Sequence, residues 1–310
     1  ISFTRWRVTE PPVESVKTAD FCPPDTILGR SMSRSIDPVV STDWLADHRR
    51  AEDLRVLDVR GPATYNQGHV PGAVNAPQWH WMDGAADLLL TLPEPDVLFE
   101  TIGDLGIDQG TRVVVTGGGD ELFDLADAYH VADTLLYADH EDVAVLDGGY
   151  EKWEREDRST TTQTDEPESR AYDGSAEEGL FVSKADLESR LGEVALVDAR
   201  ETAAYHGLVQ EEFTERRGHI PGARSLPAPW IWRADGSIRD PDRLESAVEG
   251  IVGSDRTAEI VLYCGVSPFS KAWRYLLREW FDYENVAVYE GAAQEWSRDP
   301  EAPLVAFDWE

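Results

Sequence analysis

Cysteine, lysine and long apolar runs are all scarce in this chain of 310 residues. Two cysteines, Cys22 and Cys264, leave no disulfide framework and no thiolate spacing of the kind that holds zinc, so no metal and no cofactor is expected. There are four lysines (Lys17, Lys152, Lys184 and Lys271), and 28 basic against 60 acidic residues give a formal net charge of -32. That balance argues against a nucleic-acid partner, which needs a basic patch for the phosphates. No stretch approaches the ~20 apolar residues of a membrane span. No basic start followed by an apolar run marks a secretory leader. A soluble, cytoplasmic monomer with no membrane partner is therefore expected.

The acidic residues are spread along the chain rather than gathered in a tail, which points to an acidic folded surface. Such a surface repels itself in dilute buffer, but at ~1 M salt the Debye length is only ~3 Å. A halophilic cytoplasm is the expected setting. Residues 1–36 show no sustained period and contain Pro11, Pro12, Pro23 and Pro24, so they read as an N-terminal extension with little structure of its own. Cys22, in FCPPD, reads as an incidental thiol, and Met32 is a candidate native start.

From Asp37 short apolar strands alternate with amphipathic helices. Val39-Val40 leads to an N-cap and a helix; Val56–Arg60, Val113–Thr116 and Val143–Leu146 read as strands; a helical run begins at Glu121. The order then returns. Leu196–Arg200 repeats Val56–Arg60, and Gly218-His219-Ile220-Pro221-Gly222-Ala223 repeats Gly68-His69-Val70-Pro71-Gly72-Ala73. Pro227–Trp232 echoes Pro77–Trp81, and Asn285–Gly291 repeats Asp142–Gly148. A period of about 140–150 residues is too long for a solenoid and implies two similar domains. The expected division is an extension over 1–36, a first domain over 37–157, a linker over 158–178 and a second domain over 179–310. Each domain is expected to be a parallel sheet with helices on both faces and its site at the C-terminal strand ends.

The stretch Ile260–Trp280 places Cys264 at such an end: an apolar strand, a cysteine-headed loop, then a helix whose Trp273, Leu276, Leu277 and Trp280 mark one buried face. Loop and helix-start N–H groups there would stabilise a thiolate and depress its pKa. The first half has Gly117 in the matching place, so the first domain is expected to be silent, with Asp120 and Glu121 adding charge unfavourable to an anion. The second half also carries an insertion, His206–Arg217, a candidate wall for the site. Asp198, Arg200 and His219 persist as Asp58, Arg60 and His69 in the half without the cysteine, which points to structural roles.

The Asp58-Val59-Arg60 and Asp198-Ala199-Arg200 strand ends, the two GH[VI]PGA elements, the Cys264 loop and the Gly291–Trp296 ending resemble the tandem rhodanese family over roughly 37–303. The resemblance implies two tandem rhodanese-like domains, the first non-catalytic and the second catalytic, with the cleft between them. It implies a sulfurtransferase in which Cys264 takes sulfur from a small anionic donor as a persulfide and passes it to cyanide or a thiol. Thiosulfate is the first choice of donor and 3-mercaptopyruvate the second. Gly265, Val266, Ser267, Phe269 and Ser270 would line the substrate, Pro268 donating no N–H. The loop departs from both donor-specific patterns of the family. Ala204 stands where members often have an arginine, which leaves Arg216, Arg217, Lys271 or Arg274 to read the donor, Arg217 foremost. A cysteine phosphatase needs an arginine about six residues past the nucleophile, and that position is Ser270. A non-catalytic sulfur-carrier module of the same fold is the remaining alternative.

Overall fold

The computed structural model describes residues 34–84, 87–119, 121–177 and 179–307; Cys22, Met32, Asp120 and nearly all of the N-terminal extension lie outside the described residues. The first half runs β1 (Val39–Val40), α1 (Thr42–His48), β2 (Leu54–Asp58), α2 (Pro62–Tyr65), β3 (Ala73–Asn75), α3 (Pro95–Asp104), β4 (Arg112–Thr116), α4 (Leu122–Tyr137), β5 (Val143–Leu146) and α5 (Gly149–Arg155). The second runs β6 (Phe181–Val182), α6 (Lys184–Ser189), β7 (Ala195–Asp198), α7 (Thr202–Tyr205), β8 (Arg224–Ser225), α8 (Pro241–Val252), β9 (Glu259–Tyr263), α9 (Pro268–Glu279), β10 (Asn285–Tyr289) and α10 (Ala292–Arg298).

The two sheets have the same plan, β1-β5-β4-β2-β3 and β6-β10-β9-β7-β8, and every named pairing is parallel. Parallel strands with crossover helices need both faces covered, and the strand sequences supply apolar residues on both. Val113 and Val115 of β4 face one core while Val114 faces the other; Ile260 and Leu262 of β9 face inward and Val261 and Tyr263 outward. Ser41 caps α1 by accepting the Trp44 N–H, and Ser183 with Asp186 forms a capping box on α6.

The inner faces of both sheets share one continuous core, in which α4 and α9 pack on each other. This is why α9 is buried over the whole of Pro268–Leu277 instead of on one stripe, and Trp280, placed on that stripe from the sequence, is a half-buried C-cap. Charged residues ride into the contact. Arg274 of α9 is ion-paired with Asp133 of α4, both side chains being 1% exposed or less. The Tyr275 hydroxyl lies 2.8 and 2.9 Å from the Pro38 and Val143 carbonyl oxygens. Residues 158–177 are irregular but packed along the first half: the Arg170 N–H donates to Gly103 O (2.9 Å), the Glu177 N–H to Tyr137 O (2.9 Å) and the Tyr172 hydroxyl to Ala138 O (2.8 Å). No helix among the described residues is long and apolar enough to cross a membrane.

Candidate active site

Cys264 follows β9 directly, at the C-terminal edge of the second sheet where β9 sits between β10 and β7. Its own carbonyl accepts the Ala293 N–H (2.9 Å), and Gly265 O accepts the Gln294 N–H (3.2 Å), so the loop is held against the start of α10. The sulfur accepts the Ser267 N–H at 3.0 Å, with the Ser270 hydroxyl 3.6 Å away. That hydroxyl has one proton, and its shorter bond, 2.8 Å, goes to Ser267 O. Ser267 holds φ 100° and ψ −43°, a conformation that favours glycine, and its own buried hydroxyl has no partner among the described residues. The loop thus bends its backbone toward the sulfur at the cost of local strain.

The electrostatics correct the expectation of a depressed thiol pKa. Burial pushes the Cys264 thiol up, Glu211 adds to the rise, and the Ser270 hydroxyl with the Ser270 and Val266 N–H groups opposes it. The side chain is 2% exposed.

The insertion forms the cover. A Cβ placed on Gly265 would stand 2.1 Å from Phe213 Cε2 and 3.2 Å from Glu211 Oε1, so the glycine leaves room for those two side chains. Glu211 is anchored by Arg200, whose Nη1 donates at 3.1 Å, and burial raises the Glu211 carboxyl above its usual range. On the other side Phe269 stacks on Phe123 of α4 with centroids 4.6 Å apart, bringing the first half to the loop. The sequence marked the insertion as a wall but not Glu211, Phe213 or Phe123; nothing in their spacing distinguished them.

The proposed anion readers are dispersed. Arg216 is a structural staple: its guanidinium donates to Ser297 O (3.0 Å), Trp296 O (3.3 Å), Ala302 O (2.8 Å) and Asp299 O, fastening the insertion to the end of α10. Arg217 is exposed. Lys271 and Arg274 are fully buried at the α4–α9 contact, with Lys271 Nζ 4.0 Å from Glu290 and over the Phe181 ring at 4.9 Å.

The duplicated residues behave alike in both halves. Arg60 bonds Asp58 and donates to Gly68 O at 2.8 Å; Arg200 bonds Asp198 and donates to Gly218 O at 2.8 Å. His69 and His219 place Nδ1 2.9 and 2.8 Å from Tyr65 O and Tyr205 O and stack on those rings. In the first half a Cβ on Gly117 would meet Asp124 O at 2.5 Å, so the matching loop has no space for any side chain.

A family model, the Rhodanese-like domain, matches residues 41–156 and 183–299. The chain belongs to the rhodanese-like family. Among rhodanese-like relatives it is 29% identical over 280 residues to the "Sulfur carrier protein TtuD" of Thermus thermophilus, covering 86% of this chain and 95% of that one. It is 28% identical over 288 residues to a Haloferax volcanii protein provisionally named a thiosulfate sulfurtransferase, covering 86% and 96%. The crystal structure of SseA from Escherichia coli, described as a 3-mercaptopyruvate sulfotransferase, superposes with a TM-score of 0.70 at 27% identity, covering 83% of this chain and 99% of that one.

Proposed function

We propose that this rhodanese-like protein is a sulfurtransferase whose second domain carries sulfur on Cys264. The observation that carries the reading is the sulfur at the end of β9 receiving the Ser267 N–H at 3.0 Å, in a loop whose twin in the first half cannot hold a side chain. The Cys264 thiolate attacks the outer sulfur of a sulfane donor. With thiosulfate, the Sγ–S bond forms as the S–S bond breaks, sulfite leaves with the electron pair, and the Cys264 persulfide anion remains. The N–H groups of the loop face that anion. A thiol or cyanide then attacks the terminal sulfur and regenerates the thiolate, a two-step scheme that gives ping-pong kinetics. Burial of the sulfur means that the side chains covering the loop must move aside for a donor to enter. The acidic surface suits a saline cytoplasm, where screening relieves its self-repulsion.

The test is incubation with sulfane donors in molar salt, followed by intact-protein mass measurement. A gain of about 32 Da, one sulfur atom, on Cys264 and cyanide-dependent thiocyanate formation are expected, both lost in Cys264→Ser. Loading without turnover to cyanide or small thiols would favour the sulfur-carrier reading, which the covered cysteine and the likeness to TtuD support.

A further inference from the structure

Small anionic donors are held by cations, and the cations nearest the Cys264 loop in sequence are engaged by other groups, sealed in the α4–α9 contact or out in solvent. Arg200 is shared between Asp198 and Glu211, so the three side chains together carry one excess negative charge, whereas the matching Arg60–Asp58 pair in the first half carries none. Arg216 donates to four carbonyls through Nε and Nη2, and Arg274 is paired with Asp133. Lys271 Nζ has no hydrogen-bond partner among the described residues, but it is fully buried at the α4–α9 contact, 4.0 Å from Glu290 and over the Phe181 ring. Buried Ala204 offers no charge. Arg217 stands in solvent, where molar salt screens it. What does reach the loop is a carboxylate, Glu211, and two aromatic rings, Phe213 on Gly265 and Phe269 against Phe123.

Resting on the sulfurtransferase reading, we infer that Glu211 is a specificity-determining residue that turns the site away from dianionic thiosulfate and toward an organic hydropersulfide, which carries at most one negative charge and whose apolar body the phenylalanines accept. The step balances. Cys264 thiolate attacks the outer sulfur of R–S–SH; the Sγ–S bond forms as the R–S–S bond breaks; the electron pair leaves on the thiolate R–S⁻, and the proton stays on the Cys264 hydropersulfide. A donor bringing two negative charges meets the Glu211 carboxylate at close range, and one unit charge at such range in a partly dry site is worth ~10-fold in rate.

The test compares kcat/KM for loading Cys264 with benzyl hydropersulfide and with thiosulfate, read by intact mass so that sulfur addition is distinguished from a mixed disulfide. The wild-type protein is expected to prefer the hydropersulfide by ~10-fold or more. Glu211→Gln should raise the thiosulfate-to-hydropersulfide ratio by ~10-fold, while Glu211→Asp, which keeps the charge, should hold the wild-type ratio. A wild-type protein that loads equally well from thiosulfate overturns the inference, as does a Gln variant that changes both donors in proportion, the mark of a carboxylate that only ties down the insertion. If neither donor loads Cys264 in any variant, the sulfurtransferase reading falls as well.

Discussion

Ser267→Gly is the most direct probe of how the loop is built. Ser267 sits at φ 100° and ψ −43°, where side chains are rarely found, and its buried hydroxyl has no partner among the described residues. Relief of the backbone strain is worth about 1–3 kcal/mol, and removal of an unsatisfied hydroxyl about 1–3 kcal/mol. Glycine returns about 0.5–1 kcal/mol through the greater freedom of the unfolded chain. The net expectation is a stabilisation of about 1–5 kcal/mol, each 1 kcal/mol raising Tm by roughly 2–4 °C for a cooperative unit of this size. Scanning calorimetry in molar salt reads it. Because glycine adopts the same dihedrals freely, the N–H still reaches the sulfur, and iodoacetamide modification of Cys264 should slow by no more than a few-fold. A lowered Tm would refute the reasoning, since it would mean that the hydroxyl stabilises the loop and that the conformation is not strained.

Arg216→Ala should cost about 2–3 kcal/mol, because it removes a half-buried donor shared among four backbone carbonyls, whereas exposed Arg217→Ala should stay within about 0.5 kcal/mol; denaturant titration of the two separates them. Arg274→Met should cost about 3–5 kcal/mol by leaving Asp133 buried and unpaired, and the double variant Asp133→Leu with Arg274→Met should recover most of it; a double variant no better than the single one would show that the pair is not a self-contained unit. Alkylation of Cys264 should keep accelerating past about pH 8.5, the usual thiol value, because burial and Glu211 raise its pKa. Glu211→Gln removes one of those causes and should move the profile to lower pH; a wild-type plateau below pH 7 contradicts this.

Much of the fold was legible because its signals are local. The apolar runs of β4 and β9, the Ser41 cap and the repeated Asp-x-Arg and GH[VI]PGA elements each report a short-range constraint. What stayed hidden depends on packing between halves. Lys271 and Arg274 read as surface charges because charged residues at helical spacing usually are. They are buried because α9 meets α4 instead of water, and no short window of sequence records that partner. The thiol pKa was misjudged for a related reason. The N–H donors that lower it lie within six residues of Cys264, but the burial and the Glu211 charge that raise it come from more distant parts of the chain. Arg216 was visible as a cation near the site, yet the carbonyls that occupy it belong to the end of α10 and the turn after it.

The duplication shows how one frame is made to hold two different ends. Arg60 and Arg200 tie the strand end to the glycine of the GH[VI]PGA turn with the same bonds, so this brace carries stability and not chemistry. Among the described residues, only in the second half does the arginine gain a second carboxylate, Glu211, supplied by the insertion. The brace thereby becomes the anchor of the cover, and its carboxylate is delivered beside Gly265 with Phe213. A side chain larger than hydrogen at 265 would push that cover outward, while Gly117, the counterpart of Cys264, is closed by the backbone of α4 itself. The two loops therefore differ less in their own glycines than in what is laid over them. In the first half a helix leaves no volume for a side chain; in the second the Phe213 ring and the Glu211 carboxylate lie beside Gly265.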